Sequence, residues 1–250
     1  MQSKKLLKIL VITQARFSSN RLPGKILLDL GGKKALEQVL IRLKNIDTAS
    51  NVVCAIAKEK NSSKIIDLCK KNDVNYYLGS KANVLERIYF AAKKYDGDII
   101  VRVTSDCPLI DPFLCNKLVK ILIKKNLDYV SNNIMPSFPH GLDCEVFRFK
   151  SLEKAYKYSL TKPVPSHLEH VTTYLKNNNN FKKMNLKCTK KMQRYERWTL
   201  DTVLDYKFLN KVFKKIKDDE YYFKWENVLS LINKNKNLQN INNTTHHFWF

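Results

Sequence analysis

The run Ile9-Leu10-Val11-Ile12-Thr13 and the loop behind it, Gln14-Ala15-Arg16-Phe17-Ser18-Ser19-Asn20-Arg21-Leu22-Pro23-Gly24-Lys25, decide the fold of this chain. A compact apolar run rich in β-branched residues that ends in a polar turn is a strand buried on both faces. Beyond Pro23-Gly24 and Gly31-Gly32 the apolar residues change period, falling at Ala35, Leu36, Val39, Leu40 and Leu43, which predicts an amphipathic helix. The same alternation then repeats. Val52–Ala57, Val74–Leu78 and Ile99–Val103 read as strands, and Ser63–Lys71 and Val84–Tyr95 as helices. A further helix, Asp111–Lys125, carries Asp111-Pro112 as an N-cap and first-turn pair. Strands and helices in this order require βαβ crossovers, hence an α/β fold with a mostly parallel sheet covered on both faces.

Downstream the pattern loses its regularity. Asp128–Ser131 and Leu142–Phe149 read as strands flanking a loop with Pro136 and Pro139. Helices are expected at Leu152–Ser159 and Ser166–Lys176, edge or return strands at Phe181–Lys187 and Tyr195–Leu200, and a last helix at Val203–Lys217. The reading is one domain over 1–233: a ligand-binding part at about 8–125, an irregular α+β lobe at about 128–200, and a loose polar tail at 234–250. His246-His247 in that tail is too short for an expression tag.

Composition removes several classes. The 250 residues are 44% apolar with only 7 Pro and 6 Gly, which excludes a disordered chain, a collagen-like repeat and a disulfide-stapled mini-domain. The net charge of +22 suggests a nucleic-acid binder, yet 37 of the 45 basic residues are Lys, only 8 are Arg, and they run the whole length beside 24 Asn. A face built to read nucleic acid favours the bidentate geometry of Arg, so a nucleic-acid partner is disfavoured. The positive field still attracts small polyanions. Six cysteines without a C-x-x-C pair, and no signal peptide before them, predict reduced thiols and a cytoplasmic location. Leu6–Ile12, interrupted by Lys8, is too short to cross a membrane.

In open parallel sheets, ligands sit at the carboxyl ends of the strands. The first such loop brings Arg16, Arg21 and Lys25 together with backbone donors, a setting for a phosphate chain. It is no Walker A loop, because Ile26 follows Lys25, and no G-x-G-x-x-G is present. The second loop, Thr104-Ser105-Asp106-Cys107-Pro108-Leu109-Ile110-Asp111, offers Asp106 as a ligand for Mg²⁺, which takes one or two protein oxygens and fills its shell with phosphate and water. Asp111 reads as a helix cap, and Cys107, lacking a base partner, as a packed thiol. Asp143 and Glu145 are two apart on an expected strand and share a face, with Cys144 opposite. The pair suits a cation or a hydroxyl-rich ligand, or else a plain solvent-facing edge. His167 and His170 lie three apart on an expected helix without a third ligand, which argues against zinc. His170 reads as a partner for an anionic substrate or as a structural histidine. Trp198 is expected beneath Asp201.

In order along the chain stand Ile12-Thr13-Gln14-Ala15-Arg16, Arg21-Leu22-Pro23-Gly24-Lys25, Gly79-Ser80, Val84-Leu85-Glu86-Arg87, Arg102 and Asp106-Cys107-Pro108-Leu109-Ile110-Asp111. After these come Gly141-Leu142-Asp143, Glu145-Val146-Phe147, Glu169-His170-Val171-Thr172 and Arg197-Trp198-Thr199-Leu200-Asp201-Thr202. Together they resemble the spore-coat polysaccharide type of cytidylyltransferase, within the superfamily that activates acylneuraminate and deoxy-octulosonate sugars. The resemblance runs from about residue 8 to 217. It implies a Rossmann-like mixed, mostly parallel sheet of the nucleotide-diphospho-sugar transferase (GT-A) type with a small irregular α+β lobe. It also implies a Mg²⁺-dependent enzyme that joins CMP from CTP to an acidic sugar or phosphorylated or phosphonate acceptor, releasing pyrophosphate, for surface polysaccharide or glycoconjugate synthesis. By matching position, Gln14, Ala15, Arg16, Arg21, Lys25, Ser80, Arg87 and Ser105 would bind CTP. Arg16, Lys25 and Asp106 would act in catalysis, and Asp106 with Asp201 would hold the metal. His140, Asp143, Glu145, Glu169 and His170 would bind the acceptor, and the lobe could form a homodimer. The chain departs from the family after Gly79-Ser80, with Lys81 and Asn83 where acidic residues are usual. Rival readings are a glycosyltransferase on a similar fold, which would release a nucleotide, and a basic RNA-binding protein, whose affinity would fall steeply with salt.

Overall fold

Strand β1 (Ile9–Ala15) leads through the basic loop and a 3-10 turn at Lys25–Leu27 into a hairpin, β2 (Asp29–Leu30) and β3 (Lys33–Lys34), and then α1 (Ala35–Lys44). The alternation continues with β4 (Asn51–Ala57), α2 (Ser62–Lys71), β5 (Asn75–Gly79), α3 (Val84–Lys94), β6 (Ile99–Thr104) and α4 (Pro112–Lys124). The lobe follows as β7 (Tyr129–Ser131), β8 (Glu145–Arg148), α5 (Phe149–Thr161), α6 (Pro165–His170), α7 (Thr173–Asn177) and β9 (Lys183–Asn185). The chain closes with α8 (Val203–Lys215), α9 (Trp225–Asn233) and α10 (Lys236–Gln239). This computed structural model describes residues 6–190, 196–216 and 223–242.

Seven strands form one sheet in the order β5-β4-β1-β6-β8-β7-β9. β1 sits between β4 and β6, parallel to both, which is why its apolar run is unbroken. β8 runs antiparallel to both its neighbours, β6 and β7, while β9 is parallel to β7. The sheet is thus mixed and mostly parallel, as expected. Its alternating side chains feed two cores. Ile9, Val11, Val101 and Val103 join residues of α1, α2, α4, α8 and α9 on one face. Leu10, Ile12, Val53 and Ile100 join α3, α5 and α7 on the other. No helix among the described residues is long and apolar enough to cross a membrane.

Four expectations change. The strand expected at 142–149 shortens to β8, because Asn132 takes the backbone upstream: its Nδ2 donates to Leu142 O (2.8 Å) and its Oδ1 accepts from Cys144 N (2.9 Å). The helix expected over 166–176 breaks into α6 and α7 at Val171, whose φ is +56°. The described part of 195–200 forms only an isolated bridge, His140 with Arg197, and spends its other backbone groups on loops. Finally, the tail is not loose over 236–242. Leu238 is buried, and Asn242 Nδ2 donates to Arg197 O (2.9 Å) and Asp205 Oδ1 (3.2 Å). His246-His247 lies outside the described residues.

Gly141 lies where the 140 loop crosses the 196–199 segment. Its φ is +109°, and a Cβ there would meet Trp198 C at 2.6 Å and Thr199 N at 2.7 Å, both backbone atoms with nowhere to move. Strain in φ adds to the overlap. Gly141→Ala is therefore expected to lower stability by about 3 kcal/mol or more, read as a fall in the urea midpoint.

Candidate active site

The basic loop and the Asp106 loop meet at the carboxyl ends of β1 and β6, where a cleft of about 420 Å³ opens. Its lining brings together Gln14, Ala15, Arg16, Arg21 and Lys25 from β1 and the basic loop, Arg87 from α3, Arg102, Ser105 and Asp106 from β6 and the loop after it, and Glu169, His170 and Asp201 from farther along the chain. Ser80, His140, Asp143 and Glu145 are not in its lining.

The basic loop is anchored from outside. Glu59 Oε1 accepts from the backbone N–H groups of Phe17 (2.6 Å) and Ser18 (3.1 Å), and Glu59 Oε2 pairs with Lys81 at 3.0 Å. Burial alone would raise the Glu59 carboxyl, but Ser18, Lys81 and Phe17 outweigh it and hold its pKa at about 2. Both departures from the resembled family thus have structural work: Lys81 pairs with the loop anchor, and Asn83 caps α3 by accepting from Glu86 N at 2.9 Å.

Gly24, at φ +68°, turns the chain so that Lys25 points inward. Lys25 Nζ donates to Asp106 Oδ2 at 2.8 Å and to Asp201 Oδ1 at 3.1 Å, and Arg21 also pairs with Asp201. Two residues 95 positions apart in sequence therefore share one ammonium. Burial opposes charge on both Lys25 and Asp106, yet their mutual attraction wins: Lys25 is raised and Asp106 is lowered.

The backbone fixes this meeting. Leu200 N and Thr199 Oγ1 both donate to the Asp106 carbonyl (2.8 and 3.2 Å), clipping one carboxylate's loop to the other's. Asp201 stands just before α8, where Thr202 and Asp205 form a capping box. The fully buried Asp205 also takes a bidentate pair from Arg197 (2.9 and 3.0 Å) and accepts from Asp201 N at 3.2 Å. Trp198 is buried beside them in the larger core.

Arg87 and Arg102 add further cations to the lining. Arg87 is buried; its Nη1 donates to Ser80 O at 2.6 Å, and its Nε has no hydrogen-bond partner among the described residues. Burial, with Arg16 and Arg102 nearby, pulls its pKa down to about 10. Guanidinium groups crowded in this way call for an anionic ligand. Arg102 is a cleft residue to which the sequence reading gave no role. Its signal is a lone cation inside a buried apolar strand.

Glu145 lies behind Arg102 and makes an ion pair with it. It also accepts from Tyr129 Oη (2.7 Å) and Thr172 Oγ1 (2.6 Å) and pairs with Lys176 Nζ at 3.0 Å. Burial would raise this carboxyl, but Arg102, Lys176 and the two hydroxyls hold it at about 2. Held by these four partners and absent from the cleft lining, Glu145 braces Arg102 rather than facing the cleft. Asp143 stands outside β8, so strand alternation does not place it; it accepts from Gly141 N at 3.2 Å and lies 3.8 Å from His140 Nε2. Burial pushes Asp143 upward, with His140 pulling the other way. Cys144 points to the opposite core.

Glu169 and His170 reach the cleft from the end of α6. There Val171 (φ +56°, ψ −54°) closes a tight turn, with Thr172 N donating to His170 O at 2.5 Å. A β-branched residue at positive φ is strained. It is held by its own full burial and by the Thr172–Glu145 bond. His167 instead packs with the rings of Tyr158 and Tyr174, away from His170's task. Among the described residues no three metal-ligating side chains cluster. Asp111 is a cap, accepting from Leu114 N at 3.0 Å. Cys107 is a packed thiol pushed well up by burial and by Asp106.

Glu59 and Glu145 predict acid sensitivity. Each carboxyl falls from 4.5 to about 2 on folding, so each contributes stability above pH 4.5 that is lost as pH falls toward 2. The urea midpoint is expected to drop steeply across that window. A midpoint that stays flat would mean that neither group is held as described.

A family model described as cytidylyltransferase matches residues 10–224. An uncharacterized protein of Methanocaldococcus jannaschii is 40% identical over 242 residues, covering 94% of this chain and 95% of that protein. The spore coat polysaccharide biosynthesis protein SpsF of Bacillus subtilis is 27% identical, over 83% of this chain and 87% of its own length. Among solved structures, a cytidylyltransferase from Leptospira borgpetersenii superposes with a TM-score of 0.88 at 31% identity, covering 98% of this chain and all of that one.

Proposed function

The chain belongs to the cytidylyltransferase family, and from that premise we propose that it transfers CMP from CTP to an acidic sugar or to a phosphorylated or phosphonate metabolite. The observation that carries the reading is the convergence of Asp106 and Asp201 on one cation beside the arginine-lined loop.

Two carboxylates of this kind suit Mg²⁺, which asks for one or two protein oxygens and takes phosphate oxygens for the rest. Asp106 and Asp201 would hold it, and a divalent cation there would supply charge neutralisation at the α-phosphate. Arg16, Arg21 and Lys25 bind the β- and γ-phosphates and stabilise the departing pyrophosphate. An acceptor oxygen attacks the α-phosphorus in line; the new P–O bond forms as the bond to the β-phosphate breaks. Gln14, the Ala15 backbone, Ser105 and Arg87 orient the nucleotide, with Ser80 acting through Arg87. Glu169 and His170, which line the cleft, receive the acceptor, with His140 and Asp143 set back from it, and Arg102, held by Glu145, faces its charge. An acceptor already ionised at its attacking oxygen needs no general base. A nucleotide part at 8–125, an acceptor lobe at 128–200 able to pair two copies, and a cytoplasmic setting for surface polysaccharide synthesis belong to the same proposal.

The test is a panel of candidate acids incubated with CTP and Mg²⁺ while pyrophosphate is followed. Acid-dependent pyrophosphate supports the reading. Release of free CMP or CDP from a nucleotide sugar instead would replace it with glycosyl transfer.

A further inference from the structure

The two aspartates assigned above to a divalent cation already share a cation that the chain supplies. Lys25 Nζ lies within 3.1 Å of a carboxylate oxygen of each. The Lys25 side chain is 13% exposed and that of Asp201 11%, so water screens the contact weakly. Lys25 N donates to Leu22 O and Leu27 N to Gly24 O, a turn that fixes where the side chain departs while its flexible four-carbon stem leaves the ammonium able to change partners. Asp201 is further neutralised by Arg21 and by Arg197, whose Nη2 lies 3.5 Å away.

We infer, on the reading just proposed, that Lys25 is a resident stand-in for the divalent cation. In the ligand-free cleft its ammonium holds the aspartate pair, and it gives the pair up when a triphosphate offers it a new anionic partner. A metal ion arriving alone must compete with a charge already in place. One arriving with CTP need not, because the phosphates draw the ammonium away. The consequence is an order of binding, nucleotide before or together with metal. The inference also demands a gain of function: removing Lys25 must strengthen the binding of metal alone. A lysine that only contacted phosphate would yield no such gain.

Mn²⁺ binding to the full chain, followed by electron paramagnetic resonance without acceptor, tests this. In the unaltered protein, CTP is expected to tighten Mn²⁺ about tenfold or more, within the usual range for coupled ligands. Lys25→Met is expected to bind Mn²⁺ alone about tenfold more tightly than the unaltered protein does, and to lose most of the enhancement by CTP. Lys157→Met removes an exposed cation on α5 that pairs with Glu153 outside the cleft, and should leave the binding of Mn²⁺ alone unchanged. Lys25→Met binding Mn²⁺ no more tightly than the unaltered protein would overturn the inference. Should that variant not fold, the unaltered protein still decides: Mn²⁺ affinity indifferent to CTP overturns it equally. The two readings fail separately. If Mn²⁺ binds with CTP and depends on Asp106, but Lys25→Met shows no gain, only the stand-in role falls. If no Mn²⁺ binds even with CTP, the metal assignment falls with it.

Discussion

Asp106→Asn should lower pyrophosphate release by a factor on the order of 10²–10³ or more while leaving the fold intact, because it removes charge from the reacting end of the cleft without changing shape. The variant keeps the carbonyl that Leu200 N and Thr199 Oγ1 grip, so the Asp106 and Asp201 loops stay clipped together. Lys25 retains Asp201 as a partner. The Asp106 side chain is 29% exposed, so its lost ion pair costs little, about 1 kcal/mol after screening. Turnover with saturating CTP and Mg²⁺, set against a thermal melt, separates the two effects. Near-normal turnover would remove Asp106 from the site, and with it the metal assignment.

Glu145→Ala should do the reverse. Its carboxylate is 3% exposed and serves Arg102, Lys176, Tyr129 and Thr172 together. Deleting it strands a buried guanidinium and two hydroxyls, for which a loss of about 3–5 kcal/mol is expected. Thr172 would also lose the bond that braces the strained turn at Val171, so the Glu169–His170 end of the cleft should loosen. The measurement is the urea midpoint beside the acceptor KM. A variant with an unchanged midpoint and a raised KM would make Glu145 a ligand after all, rather than a buried hub.

Side by side, these two carboxylates mark what a single sequence exposes. Asp106 was legible because it follows a strand whose apolar alternation is plain, in a loop whose position at the sheet's edge follows from βαβ topology. The same logic located the basic loop. Glu145's surroundings were hidden for a physical reason: strand alternation gives its face but does not tell which side chains press against that face from β6, β7 and α7. Glu59 was missed because its role is to accept from backbone N–H groups of a distant loop, which leaves no sequence signature. The helix α9 was hidden by its setting. Trp225, Val228 and Ile232 have a helical period, but they are few and stand among Lys and Asn. The edge strand expected at 195–200 failed because apolar residues there fill a core while their backbone crosses the 140 loop.

One topological detail bears on how such a protein can change its substrate. β8 runs against its neighbours, so it delivers its first residue, not its last, to the rim where ligands gather. The segment between β7 and β8 is consequently a long excursion at that rim, and α6 returns there from the lobe. Neither excursion includes β1, β4, β5 or β6. On the proposed reading, evolution can rewrite these two excursions to accept a new partner molecule while the machinery that cleaves the triphosphate is inherited untouched.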